Sequence, residues 1–380
     1  MTRHIVPDEV LTRPESLAEA KPLARLPTTP FAFIWYLVKT HFPRRVATLV
    51  TLAASAAAID AFAPYALAKL INAVMAAYAK HLSFAGSVLP WIVALGAIWL
   101  VSASVYRGYE AVDIQTAPRM RALAQKYLFV YMLGHSPRYF QENFAGKLGQ
   151  KIKQAGQATV SILNIICLDS VRVSVLVLVG GVLMFNAHAT YAVILGLWTV
   201  LYLSIVVSLA RRCVKLSKAF SDEVSTSTGR LVDAITNADL VRAFAKAAYE
   251  RRFLSFFLED EMNASRRLRT FLVMMRTFMQ LATLALRVGL AFVSAMDVLN
   301  GSLSVGAFVM VFSLGSQIAT SVQELSFRML DYFEQLGTLT EALELVTSQH
   351  EIVDAPDAKP LVVNVGDIRY EHIRFAHPDG

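Results

Sequence analysis

The sequence predicts an all-α protein that crosses a membrane six times. The chain of 380 residues is 55% hydrophobic and only 17% charged, and its mean hydropathy is +0.47. Soluble proteins contain about 45–50% apolar and about 25% charged residues. The apolar residues fall into six blocks close to the length of about 20 residues that a helix needs to span a bilayer. Two cysteines and eight scattered histidines favour neither a disulfide framework nor a metal site.

The elements follow from the N-terminus in a simple order. Residues 1–29 are polar and contain four prolines, which is typical of a flexible tail. Residues 30–43 combine aromatic and basic side chains, which predicts a short elbow helix lying in the membrane interface. A membrane domain is expected over residues 44–348, followed by a linker over residues 349–365. Its six predicted spans are 46–71, 88–106, 161–185, 191–210, 278–299 and 305–328.

Orientation is predicted from the basic residues beside the spans, since cytoplasmic flanks retain Lys and Arg. The segments before span one, between spans two and three, and between spans four and five are rich in both, whereas the opposite loops contain only Lys80. Both termini are therefore expected in the cytoplasm of a multi-pass cell-membrane protein, with a bacterial inner membrane as the expected location. The net charge of +7 follows from this asymmetry and from an anionic inner leaflet, so nucleic acid is not an expected partner.

The two long basic segments are predicted to be helical hairpins that extend the spans into the cytoplasm. Apolar residues recur in both segments at helical spacing, and a structureless loop of that length is uncommon in a compact protein. Turn-forming residues interrupt each segment once, at 135–137 in the first and at 225–229 in the second.

Polar residues inside the spans indicate a pathway through the membrane. Span six carries a stripe at positions 313, 317, 320, 324 and 328, and span five carries a second stripe at 276, 280, 283 and 287, each on one helical face. We expect Arg287 to meet Asp169 and Arg172 at one depth, either as a structural salt-bridge cluster between spans three and five or as part of the pathway lining. Asp60 in span one has the same two interpretations. The predicted pathway residues are Asp169, Arg172, Gln280, Thr283, Arg287, Ser313, Gln317, Thr320 and Glu324.

Four segments resemble parts of the ABC exporters. The run Ser-Pro-Arg-Tyr-Phe at 136–140, followed by Ala-Gly-Lys-Leu at 145–148, is similar to the first cytoplasmic turn of their membrane domain. Residues 231–244 are similar to the second turn, with Asn237 where glycine is common, and residues 305–308 fit the start of span six. Residues 366–380 look like the opening strand of the nucleotide-binding domain. The resemblance covers residue 30 to the end of the chain.

This resemblance implies the transmembrane subunit of an ATP-driven exporter that moves an amphipathic or lipophilic substrate, such as a lipid, drug or peptide, by alternating access. It implies a second copy or a related half-transporter as partner, and a nucleotide-binding domain that binds ATP and magnesium. His377 stands where the family usually stacks an aromatic ring on adenine. The residues expected to couple that domain to the spans are Arg138, Tyr139, Phe140, Gln141 and Asn143 in the first turn and Arg230, Leu231, Asp233 and Thr236 in the second.

The 380 residues contain no phosphate-binding loop of the form G-x-x-x-x-G-K-[ST]. Gly146 and Lys147 come nearest, but Gln141 replaces the first glycine and Leu148 the Ser or Thr. We therefore expect this sequence to be the membrane half of a longer polypeptide, without ATPase activity of its own. An ion-gradient-driven transporter or channel is the main alternative, with Asp60, Asp169 and Glu324 as proton or cation sites, although we find no inverted repeat. A membrane scaffold without transport activity is a further alternative.

Overall fold

The computed structural model describes residues 26–143, 145–348 and 350, together with the isolated positions 358, 366, 371 and 372. His377 and most of the predicted strand at 366–380 lie outside the described residues. The described part of the chain consists of helices and short turns, with no strand among its elements. The prediction of an all-α membrane fold is confirmed.

Eleven α-helices follow one another along the described chain. They are α1 (Pro30–His41), α2 (Pro43–Lys80), α3 (Phe84–Ser87), α4 (Leu89–Met132), α5 (Pro137–Glu142), α6 (Ala145–Asn164), α7 (Val171–Ala187), α8 (Ala189–Thr236), α9 (Ala238–Ala243), α10 (Ala247–Leu299) and α11 (Val305–Val346). A π-helical segment, Ile165–Ser170, joins α6 to α7 without a break.

Within the described residues, six helical segments are long and apolar enough to cross a membrane, and each overlaps one of the predicted spans. They are α2, α4, the continuous segment from α6 to α7, α8, α10 and α11. The longest, α10, has 53 residues, which corresponds to about 80 Å of helix against a hydrocarbon core of about 30 Å. The spans therefore continue as arms well beyond the bilayer, as the helical spacing predicted.

The first hairpin bends where the sequence predicted it. Helix α4 ends at Met132, and α5 begins at Pro137, whose preceding residue Ser136 caps the new helix by accepting a hydrogen bond from the Tyr139 backbone N–H. A proline at the first helical position fits this start, because its missing N–H would have no partner there.

The predicted break at 225–229 in the second hairpin is wrong. Helix α8 runs through these residues to Thr236, and the chain bends instead at Asn237, followed by the short α9 and a residue with positive φ at Ala245. The Ser225, Thr226 and Ser227 hydroxyls donate to backbone carbonyls three or four residues earlier, so these residues satisfy their hydrogen bonds inside the helix.

Helix α1 lies against the extensions of the spans. Phe33, Ile34 and Leu37 are buried in a core formed with α4, α6 and the end of α11, whereas Phe31 and Trp35 are exposed on the opposite face. This division gives α1 an apolar face toward the protein and exposed rings available to the membrane interface.

Helix α11 occupies the centre of the bundle. It packs against α2, α6, α7, α8 and α10, while α2 pairs mainly with α4, and α8 with α10. At the start of α11 the approach to α2 requires glycine, because a Cβ at Gly306 would lie 2.2 Å from the Ala68 carbonyl oxygen. Asn72 fastens the same contact by donating to Ser304 Oγ and accepting from the Gly306 N–H.

Candidate functional site

A widened turn in the third span places a carboxylate beside α11. The segment Ile165–Ser170 is π-helical, and the Ser170 hydroxyl donates to the Ile165 carbonyl five residues earlier at 3.0 Å. Such segments occur often at functional sites. Asp169 belongs to this turn, and its Oδ2 lies 3.7 Å from Nε of Arg328 on α11.

A cavity of about 410 Å³ opens between the third span and α11. Its lining residues are Leu168, Asp169, Arg172, Val173, Ser321, Glu324, Leu325, Phe327 and Arg328. The structure thus brings together three of the predicted pathway residues and adds Arg328 from the same stripe. We name this space the three–six cavity.

The three–six cavity combines two carboxylates and two guanidinium groups with apolar side chains. Its volume falls within the range of about 300–1,000 Å³ that is typical of small-molecule sites. Arg172 also lies with its guanidinium carbon 5.8 Å from the centre of the Tyr106 ring on α4. A molecule with an apolar body and polar groups of either charge would find complementary contacts here.

The expected meeting of Arg287 with Asp169 and Arg172 is wrong. Arg287 Nη2 instead donates to Thr320 Oγ1 on α11 at 2.6 Å, and Asp169 makes its ion pair with Arg328. The reason is that α11 packs against both α7 and α10 and so lies between the third and fifth spans. The salt bridge therefore joins spans three and six, not spans three and five.

The remaining polar residues of the two stripes lie outside the three–six cavity. Thr283 is buried and donates to the Met279 carbonyl of its own helix, and Ser313 donates to the Val309 carbonyl. Gln280 is exposed and Gln317 is half-buried. Asp60 is placed against α4, where its Oδ1 accepts a hydrogen bond of 2.5 Å from the Ser102 hydroxyl.

Three hydrogen bonds fasten the first turn and the end of α4 to the end of α11 and to His350, which follows it. The Tyr139 hydroxyl donates to the Leu345 carbonyl at 2.9 Å, His135 Nε2 lies 2.9 Å from the Val346 carbonyl, and His350 Nε2 lies 3.0 Å from the Tyr131 carbonyl. We name this set of contacts the turn clamp.

The rings of the turn clamp also pack on one another. The centroids of His135 and Tyr139 are 4.1 Å apart in a stacked arrangement, and those of Tyr131 and His350 are 4.4 Å apart. A Cβ at Gly134 would lie 2.7 Å from His350 Cε1, so glycine leaves room for this ring. Sequence reasoning selected Tyr139 but did not predict that His135 stacks on it or that His350 packs on Tyr131 and His135. Nothing in the sequence pairs His350 with residues that lie more than 200 positions earlier.

The other residues expected in the first turn have different surroundings. Phe140 and Gln141 are exposed at the tip, and Arg138 is exposed beside them. Asn143 donates through Nδ2 to the Tyr139 carbonyl at 3.0 Å and so ends α5. Burial raises the pKa of the Tyr139 phenol, so this group keeps its proton and donates at physiological pH.

The residues expected in the second turn lie on the last turns of α8, before the bend. Arg230 is exposed, and its guanidinium lies over the rings of Phe253 and Phe257 on α10, at 5.7 and 5.2 Å. The Asp233 carbonyl accepts hydrogen bonds from the Asn237 backbone and side chain. Leu231, Asp233 and Thr236 are exposed.

The actual tip of the second hairpin exposes apolar side chains that the sequence-based list omitted. Leu240 is 57% exposed on α9, and Phe244 just after it is 70% exposed. The sequence contained a signal for this tip, because residues 241–244 belong to the segment that resembles the second turn of the exporters.

Residues 46–322 match the family described as the ABC transporter transmembrane region. Because this match covers more than half of the chain, the protein belongs to that family, and it is a multi-pass membrane protein with the fold of an ABC exporter transmembrane domain.

Individual relatives agree with this assignment. The chain is 26% identical over 289 residues to an uncharacterized ABC transporter ATP-binding protein of Haemophilus influenzae, which covers 74% of this chain and 47% of that protein. It is 20% identical over 349 residues to a mitochondrial iron–sulfur clusters transporter ATM1 of Yarrowia lipolytica, covering 91% of this chain and 49% of the relative. The chain thus spans about half the length of these curated relatives.

A solved structure shows the same fold. The structure of a bacterial Atm1-family ABC exporter with ATP bound superposes with a TM-score of 0.70 at 17% sequence identity, covering 84% of this chain and 57% of that chain.

Proposed function

We propose that this chain is the transmembrane half of a dimeric ATP-driven exporter that moves an amphipathic or lipophilic substrate out of the cytoplasm. The observation that supports this most is the three–six cavity, because it places charged groups of both signs inside a bundle that belongs to the ABC transporter transmembrane family. Charged groups at membrane depth are costly and commonly line substrate pathways.

Movement would enter the bundle through its two hairpin tips. ATP and magnesium, held by a nucleotide-binding domain, would supply the energy for closure, while this chain contributes the surfaces that the domain contacts. The exposed rings of Phe140 in the first turn and Phe244 in the second are suited to that contact. The turn clamp would pass displacement of the first turn directly to α11, which carries Glu324 and Arg328.

The substrate class follows from the lining of the three–six cavity. Leu168, Val173, Leu325 and Phe327 provide apolar contacts beside the charged groups, which favours an amphiphile over a small inorganic ion. The Yarrowia lipolytica relative is named for iron–sulfur clusters, but no cysteine is among the lining residues of the three–six cavity, and Cys167 in the π-helical segment is buried. We therefore propose an organic amphiphile as the transported molecule.

The gradient-driven alternative has less support. It would use Asp60, Asp169 and Glu324 as proton or cation sites, whereas Asp169 is ion-paired with Arg328 and Asp60 accepts a hydrogen bond from Ser102. We further propose that the hairpin tips and both termini face the cytoplasm, because the basic residues are concentrated on that side.

The proposal is tested in the full-length protein reconstituted in liposomes, with ATPase activity measured against increasing concentrations of amphipathic dyes. Asp169→Asn should raise the dye concentration needed for half-maximal stimulation by about tenfold, since a charge-assisted contact is worth about 1.4 kcal/mol or more. Asp222→Asn, an exposed acidic residue on α8, serves as the control.

A charge swap separates a pathway role from a purely structural ion pair. If the combined Asp169→Arg and Arg328→Asp exchange restores both thermal stability and dye stimulation, the pair is structural and the proposed pathway role is wrong. Restored stability with altered dye preference supports the pathway.

A further inference from the structure

Two of the four charged side chains that line the three–six cavity form no ion pair within the described part of the chain. Asp169 lies 3.7 Å from Arg328, and Arg328 also lies 3.8 Å from Asp331 on its own helix. The remaining two are Arg172 from the third span and Glu324 from the sixth. One cation and one anion are therefore left over in the same cavity.

The usual helical partner of Glu324 is engaged elsewhere. Glu324 lies four residues before Arg328 on α11, a spacing at which glutamate and arginine commonly pair on a helix surface. Arg328 instead contacts Asp169 on the third span and Asp331. Glu324 is exposed, so its carboxylate is accessible to a ligand.

Arg172 has an aromatic contact in place of a carboxylate. Its guanidinium carbon lies 5.8 Å from the centre of the Tyr106 ring, and among the described residues it forms neither a hydrogen bond nor an ion pair. A ring face attracts the positive charge but leaves the planar N–H groups available. These groups match the oxygens of a carboxylate or phosphate.

The three–six cavity gives a ligand both room and access. Its volume is about 410 Å³, and Glu324 and Arg328 are exposed on its α11 side. A ligand with a single charge would leave either Arg172 or Glu324 without a partner, which is costly away from bulk water. A ligand that carries both charges would pair with both residues.

We propose that the three–six cavity binds a zwitterionic group of the transported amphiphile, with its anion on the Arg172 guanidinium and its cation on the Glu324 carboxylate. The shared chemistry is an ammonium and an anionic oxygen group a few bonds apart, as in a peptide-like amphiphile or a zwitterionic phospholipid. This inference rests on the proposed function and specifies its substrate class.

The test compares three fluorescent probes that share one dansyl body. Nε-dansyl-lysine carries an ammonium and a carboxylate, dansylcadaverine lacks the carboxylate, and dansyl-aminocaproic acid lacks the ammonium. Binding to the full-length, nucleotide-free protein in the uncharged detergent dodecyl maltoside is followed by fluorescence titration. The wild type should bind Nε-dansyl-lysine about tenfold more tightly than either of the other probes.

Two substitutions should remove this preference in complementary ways. Arg172→Met should make Nε-dansyl-lysine and dansylcadaverine bind alike while the preference over the acid remains. Glu324→Gln should make Nε-dansyl-lysine and the acid bind alike while the preference over dansylcadaverine remains. The controls are Arg212→Met, whose guanidinium lies over Phe271 at 5.6 Å, and the exposed Glu259→Gln on α10, and both should keep both preferences.

Three results would overturn the proposal. Equal binding of all probes by the wild type would show that water satisfies Arg172 and Glu324. Tighter binding of a singly charged probe would exclude a zwitterion, and preferences unchanged in both variants would place the bound probe elsewhere. The wild-type comparison needs no substitution, so it decides the question when Arg172→Met fails to fold.

A competition experiment separates the two sources of the zwitterionic group. Displacement of Nε-dansyl-lysine by phosphatidylethanolamine but not by phosphatidylglycerol supports a lipid as the transported molecule, and no displacement by either supports a free amphiphile. Equal displacement by both lipids would show that the ammonium contributes nothing and would overturn the proposal. Because no ATP is present, these results are independent of whether ATP drives transport.

Discussion

At the scale of single residues, small side chains decide how closely the helices of this bundle approach. Gly306 lets the start of α11 lie against the backbone of α2, and Gly134 leaves room for the His350 ring in the turn clamp. Gly289 on α10 has open space around the position of its missing Cβ. The structural role of each glycine therefore depends on which atoms surround it.

This difference predicts opposite effects of the same substitution. Gly306→Ala should lower the melting temperature of the full-length protein, because the new methyl group meets a backbone oxygen at 2.2 Å and overpacking costs about 1–3 kcal/mol. Gly289→Ala should leave it unchanged or raise it, because alanine is the better helix former. Thermal unfolding in detergent, followed by intrinsic fluorescence, measures both variants, and equal melting temperatures would contradict the close approach.

At the scale of elements, the turn clamp joins two parts of the chain that would otherwise be independent. Helix α11 carries Glu324 and Arg328 at the three–six cavity and ends at Val346, where His135 meets its backbone. About 33 Å of helix separates Glu324 from Val346. On the proposed function, a displacement of the first turn would reach the three–six cavity through one continuous helix.

Loss of the turn clamp should uncouple these parts. Tyr139→Phe removes only the hydroxyl that donates to the Leu345 carbonyl, and His135→Ala removes both a ring contact and a hydrogen bond. We expect both variants to keep basal ATPase activity and to lose at least half of its stimulation by transported dyes. Tyr249→Phe, at an exposed position on α10, is the control, and full stimulation in His135→Ala would show that the clamp does not transmit movement.

The elements could be predicted from sequence to different degrees. The six spans could be predicted because each is a long apolar block of sequence. The first bend could be predicted because Ser136 and Pro137 determine the start of α5 through their own backbone and side chains. The second bend could not be located, because Ser and Thr at 225–227 bond to carbonyls of their own helix. The partner of Asp169 could not be predicted either, since the position of α11 between α7 and α10 depends on tertiary packing.

At the scale of the whole molecule, the fold separates the proposed binding site from the hairpin tips, where energy would enter. The three–six cavity lies between the third and sixth spans, while Phe140 and Phe244 are exposed at the hairpin tips. A transporter with these two regions apart needs rigid connections between them, and the long helices α8, α10 and α11 connect them. Family membership and this separation together support ATP-driven alternating access.

The most direct test of the central claim is the energy source of transport. The full-length protein would be reconstituted in liposomes, and dye movement followed with ATP and magnesium present while ionophores collapse all ion gradients. We expect transport to continue under these conditions and to stop when a non-hydrolysable ATP analogue replaces ATP. Transport that requires an imposed ion gradient and proceeds without ATP would contradict the account.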